Sequence, residues 1–247
     1  MNIVVIGTGR LGTNLALALC DAGHDVTVVR GRAVTADCSG EKQIPRTADA
    51  FIIAVKDDVL EDVIVRATKG REDQLFLHTA GSMPMSVFSN HCRRYGVLYP
   101  MQTFSKETTV PFNDIPLFLE ANATDTLDVL RELARTLSSH IYHLSTDDRK
   151  YLHLAAVFAC NFANHCMALS ADVLGRIGIP FDVMLPLVDQ TVRKLHTMAP
   201  ANAQTGPAVR HDNNVIISQH HLLDDNPKMQ KVYDLLTESI YEKSTNK

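Results

Sequence analysis

Apolar-rich runs, of which 3–6 is fully apolar, alternate with amphipathic stretches over the first 146 residues of the chain. The runs that we predict as strands are 3–6, 25–29, 48–55, 75–81, 96–99, 115–121 and 140–145. Helical periodicity is found at 10–22, 59–68 and 124–137. Fully apolar runs are typical of parallel strands covered on both faces, and their alternation with helices indicates βαβ units. The pattern therefore predicts an α/β fold, with a Rossmann-type doubly wound parallel sheet over residues 1–146.

The pattern of the second half is helical throughout. A long apolar helix is predicted from residue 147 onwards, capped by Ser145 or Thr146 and closed by Gly178 and Pro180. Three more helices follow; we expect a kink in the first at Pro186 and the start of the last near Pro227. We therefore predict an all-α domain over residues 147–247. Its apolar content favours a role in substrate binding and in a homodimer interface.

Three glycines follow the first predicted strand in the spacing GxGxxG. Gly7 permits a tight turn, Gly9 lets a pyrophosphate approach the backbone, and Gly12 lets the helix pack closely on the strand. The N–H groups of the helix that begins at Arg10 point at the same phosphate. The sequence thus predicts a dinucleotide site, with contacts from Gly7, Thr8, Gly9, Arg10, Leu11 and Gly12.

The end of the second predicted strand indicates which dinucleotide is bound. NAD enzymes usually carry Asp or Glu there, bonded to the ribose 2′-hydroxyl. This chain has VVRGR, which places Arg30 and Arg32 at that position. A guanidinium forms a two-pronged contact with phosphate, so we predict NADP as the cofactor. The alternative is that both arginines are surface residues of a loop.

The ends of the later strands are predicted to surround the nicotinamide. In open α/β sheets, ligands bind beyond the carboxyl ends of the strands. That rule predicts cofactor contacts from Val55, Lys56, Thr79, Ala80 and Gly81, and a substrate contact from Gln102 in the segment 100–103. His78 also lies at a strand end, and we favour a structural role for it over a catalytic one.

A polar stripe follows one face of the long predicted helix. At about 100° per residue, Lys150, His153, Asn161 and Asn164 share an arc with Val157 and Ala168, while His165 falls outside it and is taken as structural. The stripe is compatible with an interface whose polar groups are paired. We favour the lining of a cleft between the two domains. A histidine titrates near neutral pH, so His153 is the predicted acid or base, with Lys150 as the alternative donor.

Amides and a cation are predicted to bind the substrate in this cleft. Asn161 and Asn164 carry amides that can hold a substrate oxygen or nitrogen. Arg210, in the segment QTGPAVRHD, can bind an anionic substituent or pair with Asp212, and the sequence leaves both readings open.

Composition narrows the possible partners and the compartment. The net charge of −4 provides no broad basic field, so no nucleic acid is expected. The five cysteines include no CxxC pair, which predicts a reducing compartment, free thiols and no metal site. We find no apolar run of about 20 residues, so no membrane is expected and the predicted location is the cytoplasm.

The combination of GTGRLG, AVKDD, HTAGSMP and YPMQTF with a helical second half resembles a known superfamily of two-domain oxidoreductases. It includes 6-phosphogluconate dehydrogenase, pyrroline-5-carboxylate reductase, ketopantoate reductase and prephenate dehydrogenase. Within it, the chain is similar to bacterial NADP oxidoreductases whose helical domain has no known function and carries LHLAAVFACNF and TGPAVRHD. The resemblance implies NADP binding, a homodimer formed through the helical domains, and an active site in a cleft.

The lysine chemistry of the superfamily does not carry over to this chain. Its hydroxyacid dehydrogenases use a helix lysine with an asparagine four residues later, whereas here Leu154 follows Lys150 at that spacing. YPMQTF is similar to the His-Pro-Met segment of prephenate dehydrogenases, with Tyr99 in place of the histidine. We predict hydride transfer between NADP(H) and a small carbonyl, imine or alcohol. The alternatives are a deazaflavin as the hydride partner and an NADP sensor without chemistry.

Overall fold

A seven-stranded sheet forms the centre of the first half of the protein, as seen in a computed structural model that describes residues 1–30, 43–105 and 108–245. The strands are β1 Asn2–Ile6, β2 Asp25–Val29, β3 Ala50–Ile53, β4 Leu75–His78, β5 Arg94–Pro100, β6 Leu117–Ala121 and β7 Ile141–His143. Their order in the sheet is β2-β1-β3-β4-β5-β6-β7. The predicted Rossmann-type fold class, followed by a helical region, is confirmed.

The last two strands run opposite to the first five, which corrects the prediction of a parallel sheet throughout. Strands β1 to β5 are mutually parallel, β6 pairs with β5 in antiparallel fashion, and β7 is parallel to β6. Apolar composition does not encode strand direction, because either direction buries the same side chains.

Two apolar layers cover the two faces of the sheet. Because side chains alternate along a strand, Ile3 and Val5 pack in one layer while Val4 and Ile6 pack in the other. In the described residues of the first half, the α-helices are α1 Arg10–Asp21, α2 Asp57–Thr68, α3 Thr124–Leu137 and α4 Thr146–Ala156. Helices α1 and α3 pack on the first layer and α2 on the second, together with a 3₁₀ turn at Met85–Phe88.

The long predicted helix contains a π-helical segment, Val157–Phe162, between α4 and α5 Ala163–Gly175. Ser145, one of the two predicted caps, accepts a hydrogen bond from the backbone N–H of Asp148. A π segment makes i→i+5 hydrogen bonds, so its period differs from 3.6 residues. A shared face for His153, Asn161 and Asn164 requires 3.6 residues per turn throughout, and the π segment interrupts that period from Val157 onwards.

By internal packing the chain divides into two units, Met1–Asn161 and Phe162–Lys247. The second unit contains α5, a 3₁₀ turn at Phe181–Met184, and helices α6 Leu185–Leu195, α7 Pro200–Ala203, α8 Asn213–His221 and α9 Pro227–Thr245. The predicted start at Pro227 is confirmed. The kink expected at Pro186 is wrong, because this proline lies in the first turn of α6, where its missing N–H removes no helical hydrogen bond.

One helix in the described part of the chain, Thr146–Gly175, is long and apolar enough by composition to cross a membrane. Its most apolar window has a mean hydropathy of 1.3, and none of that window is buried within the protein. The expectation that no apolar run approaches such a length is therefore wrong. Length and composition alone support a membrane span only weakly, because an apolar protein interface passes the same test.

Candidate functional site

The carboxyl ends of β1, β3 and β4 border a cavity of about 1040 Å³. The observed strands β3 and β4 are shorter than predicted, so that residues 54–55 and 79–81 leave the sheet and line this cavity. The full lining is Gly7, Thr8, Gly9, Arg10, Leu11, Ala54, Val55, Lys56, Asp57, Asp58, Val59, Val63, Thr79, Ala80, Gly81, Tyr99, Pro100, Gln102, Phe104 and His153.

Close backbone packing holds the glycine loop in place. Gly7 has a φ of 129°, in the region that favours glycine, and a Cβ atom on it would lie 2.1 Å from the carbonyl oxygen of Ala54. A Cβ atom on Gly12 would lie 2.3 Å from the carbonyl oxygen of Gly7. On Gly9, by contrast, a Cβ atom would meet nothing within 4 Å. The first and third glycines therefore serve packing, while the second leaves space for a ligand.

The N-terminus of α1 at this loop is suited to an anion. Gly9 is the N-cap residue and offers no side-chain cap, and the first turn contains no acidic residue. The free N–H groups and the positive end of the helix dipole therefore face the cavity without a competing negative charge. These features fit the pyrophosphate of a dinucleotide.

Tyr99 and His153 form a hydrogen-bonded pair that lines the same cavity. The Tyr99 hydroxyl lies 3.1 Å from Nδ1 of His153, and the two rings meet edge to face with centroids 6.2 Å apart. Gly81 packs against both: a Cβ atom on it would lie 2.8 Å from His153 Nδ1 and 2.9 Å from Tyr99 Cζ. The absence of a side chain at Gly81 is therefore a requirement of this pair.

Gly81→Ala is expected to lower turnover more than nucleotide affinity. The added methyl group must push the ring of Tyr99 or His153 aside, while the glycine loop is untouched. We expect the hydrogen bond of the pair to be lost and kcat to fall at least about tenfold, with NADPH affinity changed by less than about threefold. Steady-state kinetics measure kcat and fluorescence titration measures NADPH affinity. The control is Gly175→Ala at the end of α5, where a Cβ atom meets nothing within 4 Å.

His78, at the end of β4, is a buried structural residue. It is fully buried, its ring stacks on Phe88, and its Nδ1 accepts a hydrogen bond from the backbone N–H of Ala80. Burial, assisted by the positive charge of Arg149, lowers its pKa to about 3. It is outside the cavity lining, and it holds the turn that carries Thr79–Gly81. These contacts agree with the structural role favoured above.

His78 should make the protein less stable in acid. Its folded pKa of about 3 lies below the ordinary value of 6.5, so the unfolded chain binds more protons between these two pH values. Its contribution is complete above pH 6.5 and is lost as the pH falls towards 3, by about 4 kcal/mol. Urea unfolding at several pH values should show a weaker acid dependence for His78→Asn than for the wild type. Equal slopes would contradict the assignment.

A buried ionic cluster anchors the start of α4. Arg149, 1% exposed, forms an ion pair with Glu120 on β6 and donates a 2.7 Å hydrogen bond to the carbonyl oxygen of Met83. Thr146 donates from its backbone and its hydroxyl to the same carboxylate. The cluster ties α4, which carries His153 one turn later, to the sheet and to the segment after β4. Neither Arg149 nor Glu120 was predicted from the sequence.

The remaining predicted site residues lie outside the cavity lining, except for Gln102, which is part of it. Lys150 is half exposed and forms an ion pair with Asp147 at 3.0 Å. Asn161, Asn164 and Arg210 are exposed. Arg30 is exposed and directly follows β2, whereas Arg32 lies outside the described residues. Gly12 is buried behind the loop that Gly7 and Gly9 form.

Tyr99 lines the cavity but was not predicted as a site residue. In the sequence it stands out only as a replacement for histidine in YPMQTF. Its position next to the end of a buried strand, directly before the segment 100–103 that was predicted to lie near the nicotinamide, is the signal that would have identified it.

A sheet of this order, with a glycine loop at the end of its first strand and an uncapped helix behind it, defines a dinucleotide-binding protein of the Rossmann type. A family described as a domain of unknown function (DUF2520) matches residues 115–240. The chain is also similar to the "putative NADP oxidoreductase BF3122 from Bacteroides fragilis", at 44% identity, with 98% of each chain covered and a TM-score of 0.89. The protein therefore belongs to the DUF2520 family. No curated protein matches the chain.

More distant structures share the fold. An imine reductase from Myxococcus stipitatus in complex with NADP+ is 18% identical, with a TM-score of 0.68 over 98% of this chain and 93% of that one. A pyrroline carboxylate reductase from Plasmodium falciparum with NADP bound is 12% identical, with a TM-score of 0.59 over 99% and 97%.

Proposed function

We propose that the protein is an NADP(H)-dependent oxidoreductase that transfers a hydride between the nicotinamide and a small carbonyl, imine or alcohol. One observation carries this proposal. The cavity that begins at the glycine loop also contains a hydrogen-bonded tyrosine and histidine, a pair able to move a proton. A protein that only binds the nucleotide needs no proton donor in this cavity. The name of the 44% identical relative supports both the cofactor and the reaction class.

The residues present fit this cofactor. The loop Gly7–Gly12 and the N-terminus of α1 would hold the pyrophosphate, and Arg30 with Arg32 would hold the 2′-phosphate. Thr79, Ala80 and Gly81 would lie beside the nicotinamide, which supplies or accepts the hydride when bound. The chain itself would orient the substrate, exclude water and exchange a proton through His153. Roles of Asn161, Asn164 and Arg210 in holding the substrate stay predictions.

Nucleotide titration followed by a substrate screen tests the proposal. Fluorescence titration with NADPH and NADH should give tighter NADPH binding; equal affinities would remove the role of Arg30 and Arg32. A panel of oxo acids, ketones and cyclic imines is then screened for NADPH oxidation, with His153→Ala as the inactive control. Tight binding without turnover across the panel would favour a sensor, and no binding of either nucleotide would exclude both functions.

We also propose that the second unit forms a homodimer. Among its described hydrophobic residues only Leu174, Ala208, Leu223 and Met229 are buried. Large apolar side chains are exposed on three of its helices and just after two of them, namely Leu187, Ile217 and Leu235, and Ile177 and Leu222, each more than half exposed. So much open apolar surface needs a partner with a similar surface, and a second copy provides one. Sedimentation of the wild type and of Leu187→Glu measures this: a dimer that the substitution weakens is expected, and a wild-type monomer would contradict it.

A further inference from the structure

Tyr99 and His153 are held by rigid elements from two sides. Tyr99 lies on β5, is 9% exposed, and packs against Phe118 of the neighbouring strand with ring centroids 6.4 Å apart. His153 lies on α4, one turn after the buried Arg149. The backbone of Gly81 packs so closely against both rings that a side chain there would clash with them. A pair whose geometry is fixed before any ligand arrives needs little reorganisation during a reaction.

The hydrogen bond leaves one further site for proton exchange on each partner. Nδ1 of His153 faces the Tyr99 oxygen, so Nε2 is the nitrogen left to exchange protons with solvent. The Tyr99 oxygen can accept from Nδ1–H, and its own proton is then directed elsewhere. Tyr99 sits at the carboxyl end of β5, and the neighbouring strand β4 ends in the segment Thr79–Gly81. The open direction of the phenol is therefore the ligand-binding edge of the sheet.

We propose that Tyr99 donates the proton of the reaction to the oxygen of a carbonyl substrate and that His153 returns a proton to Tyr99. This inference rests on the proposed oxidoreductase function and makes it more specific. It assigns a catalytic residue that the family resemblance does not, and it selects carbonyl compounds over imines.

The proton and electron balance of the step is simple. The carbonyl carbon accepts a hydride from NADPH, the C=O π bond breaks, and its electron pair moves to the oxygen. The Tyr99 O–H bond breaks as the substrate oxygen takes the proton, which yields the alcohol. The phenolate takes the proton from Nδ1 of His153 as Nε2 takes one from solvent, so that no imidazolate forms. Oxidation of the alcohol follows the same path in reverse.

The acidity of the donor favours the carbonyl class. Burial raises the pKa of Tyr99, and the positive charge of Arg149 opposes this only in part, so the phenol is protonated at neutral pH. A developing alkoxide is a far stronger base than a phenolate and takes this proton readily. An imine must be protonated before it accepts a hydride, and a phenol is too weak an acid for that.

Tyr99→Phe tests the donor because it removes only the hydroxyl. With a ketone that the wild type reduces, kcat should fall about 10²- to 10⁴-fold, while the dissociation constant of NADPH, measured by fluorescence, stays within about threefold. Tyr142→Phe removes the same atom from an exposed tyrosine outside the cavity and should leave both values unchanged. A Tyr99→Phe enzyme with wild-type kcat would overturn the proposal, as would a wild type that reduces imines but no carbonyl compound.

A second readout needs neither turnover nor cofactor. In protein labelled with fluorotyrosine, the ¹⁹F resonance of Tyr99 is identified by its loss in Tyr99→Phe, and its titration is followed with pH. His153→Gln should shift the midpoint of this titration, because it removes the partner of the phenol. An unchanged midpoint would overturn the pairing. If the wild type binds no NADPH, the oxidoreductase function is refuted and the donor role with it. If NADPH binds normally and the two residues titrate together, but Tyr99→Phe is fully active, only the donor role is refuted.

Discussion

Gly12→Ala is expected to destabilise the protein by about 3 kcal/mol and to abolish measurable NADPH binding. The new methyl carbon would lie 2.3 Å from the carbonyl oxygen of Gly7, which is a backbone atom, so no flexible side chain can move to relieve the clash. The first turn of α1 must move away from β1, and the N–H groups that face the pyrophosphate move with it. Chemical denaturation and fluorescence titration measure the two effects.

Gly9→Ala is the matched control for this prediction. A Cβ atom there meets nothing within 4 Å, so the free energy of unfolding should change by less than about 1 kcal/mol. The methyl group would nevertheless occupy space that the pyrophosphate needs, and NADPH affinity should fall at least about tenfold. Normal NADPH binding in both variants would contradict a dinucleotide site at this loop.

Arg149→Met is expected to lower the free energy of unfolding by about 3–5 kcal/mol. The substitution removes the cationic partner of Glu120 and leaves a carboxylate whose side chain is only 16% exposed. It also removes the hydrogen bond to the carbonyl oxygen of Met83, which links α4 to the segment after β4. Because α4 carries His153, we also expect a loss of activity at temperatures where the variant is still folded.

A double-mutant cycle separates the ion pair from the loss of packing. Glu120→Gln combined with Arg149→Met should be more stable than the sum of the single changes predicts, because no unpaired charge remains buried. Arg93→Met is the exposed control: its ion pair with Asp73 has side chains 82% and 74% exposed, and its removal should cost less than about 0.5 kcal/mol. Strict additivity at Glu120 and Arg149 would show that the charge interaction contributes nothing.

Features that depend on local backbone chemistry were predictable from the sequence. Apolar runs identify the buried strands and therefore the residues that follow β3 and β4. The spacing of the glycines identifies the glycine loop. The predicted glycine-loop residues except Gly12, and the predicted residues directly after β3 and β4, line the cavity, and Gly12 packs behind the loop.

Features that depend on distant partners were not predictable. Arg149 and Lys150 are adjacent and both basic, yet one is buried against Glu120 and the other faces solvent beside Asp147. Only the position of Glu120, far away along the chain, decides between them. The π segment VFACNF contains no Gly or Pro to mark it, so a face calculated for a regular helix failed beyond it.

The reversed direction of β6 and β7 decides which end of α4 reaches the cofactor edge. Glu120 pairs with Val97, two residues before Tyr99 on β5, so Thr146, which is bonded to Glu120, starts its helix at the middle of the strand and not at the cofactor edge. The seven residues from Thr146 to His153 rise about 10 Å along the helix. The two residues from Val97 to Tyr99 rise about 7 Å along the strand, so His153 can reach the level of Tyr99. Had both strands followed the direction of the first five, the helix after β7 would start at the cofactor edge and lead away from it. The reversed direction of β6 and β7 therefore makes α4 run towards the cofactor edge, which places His153 beside Tyr99.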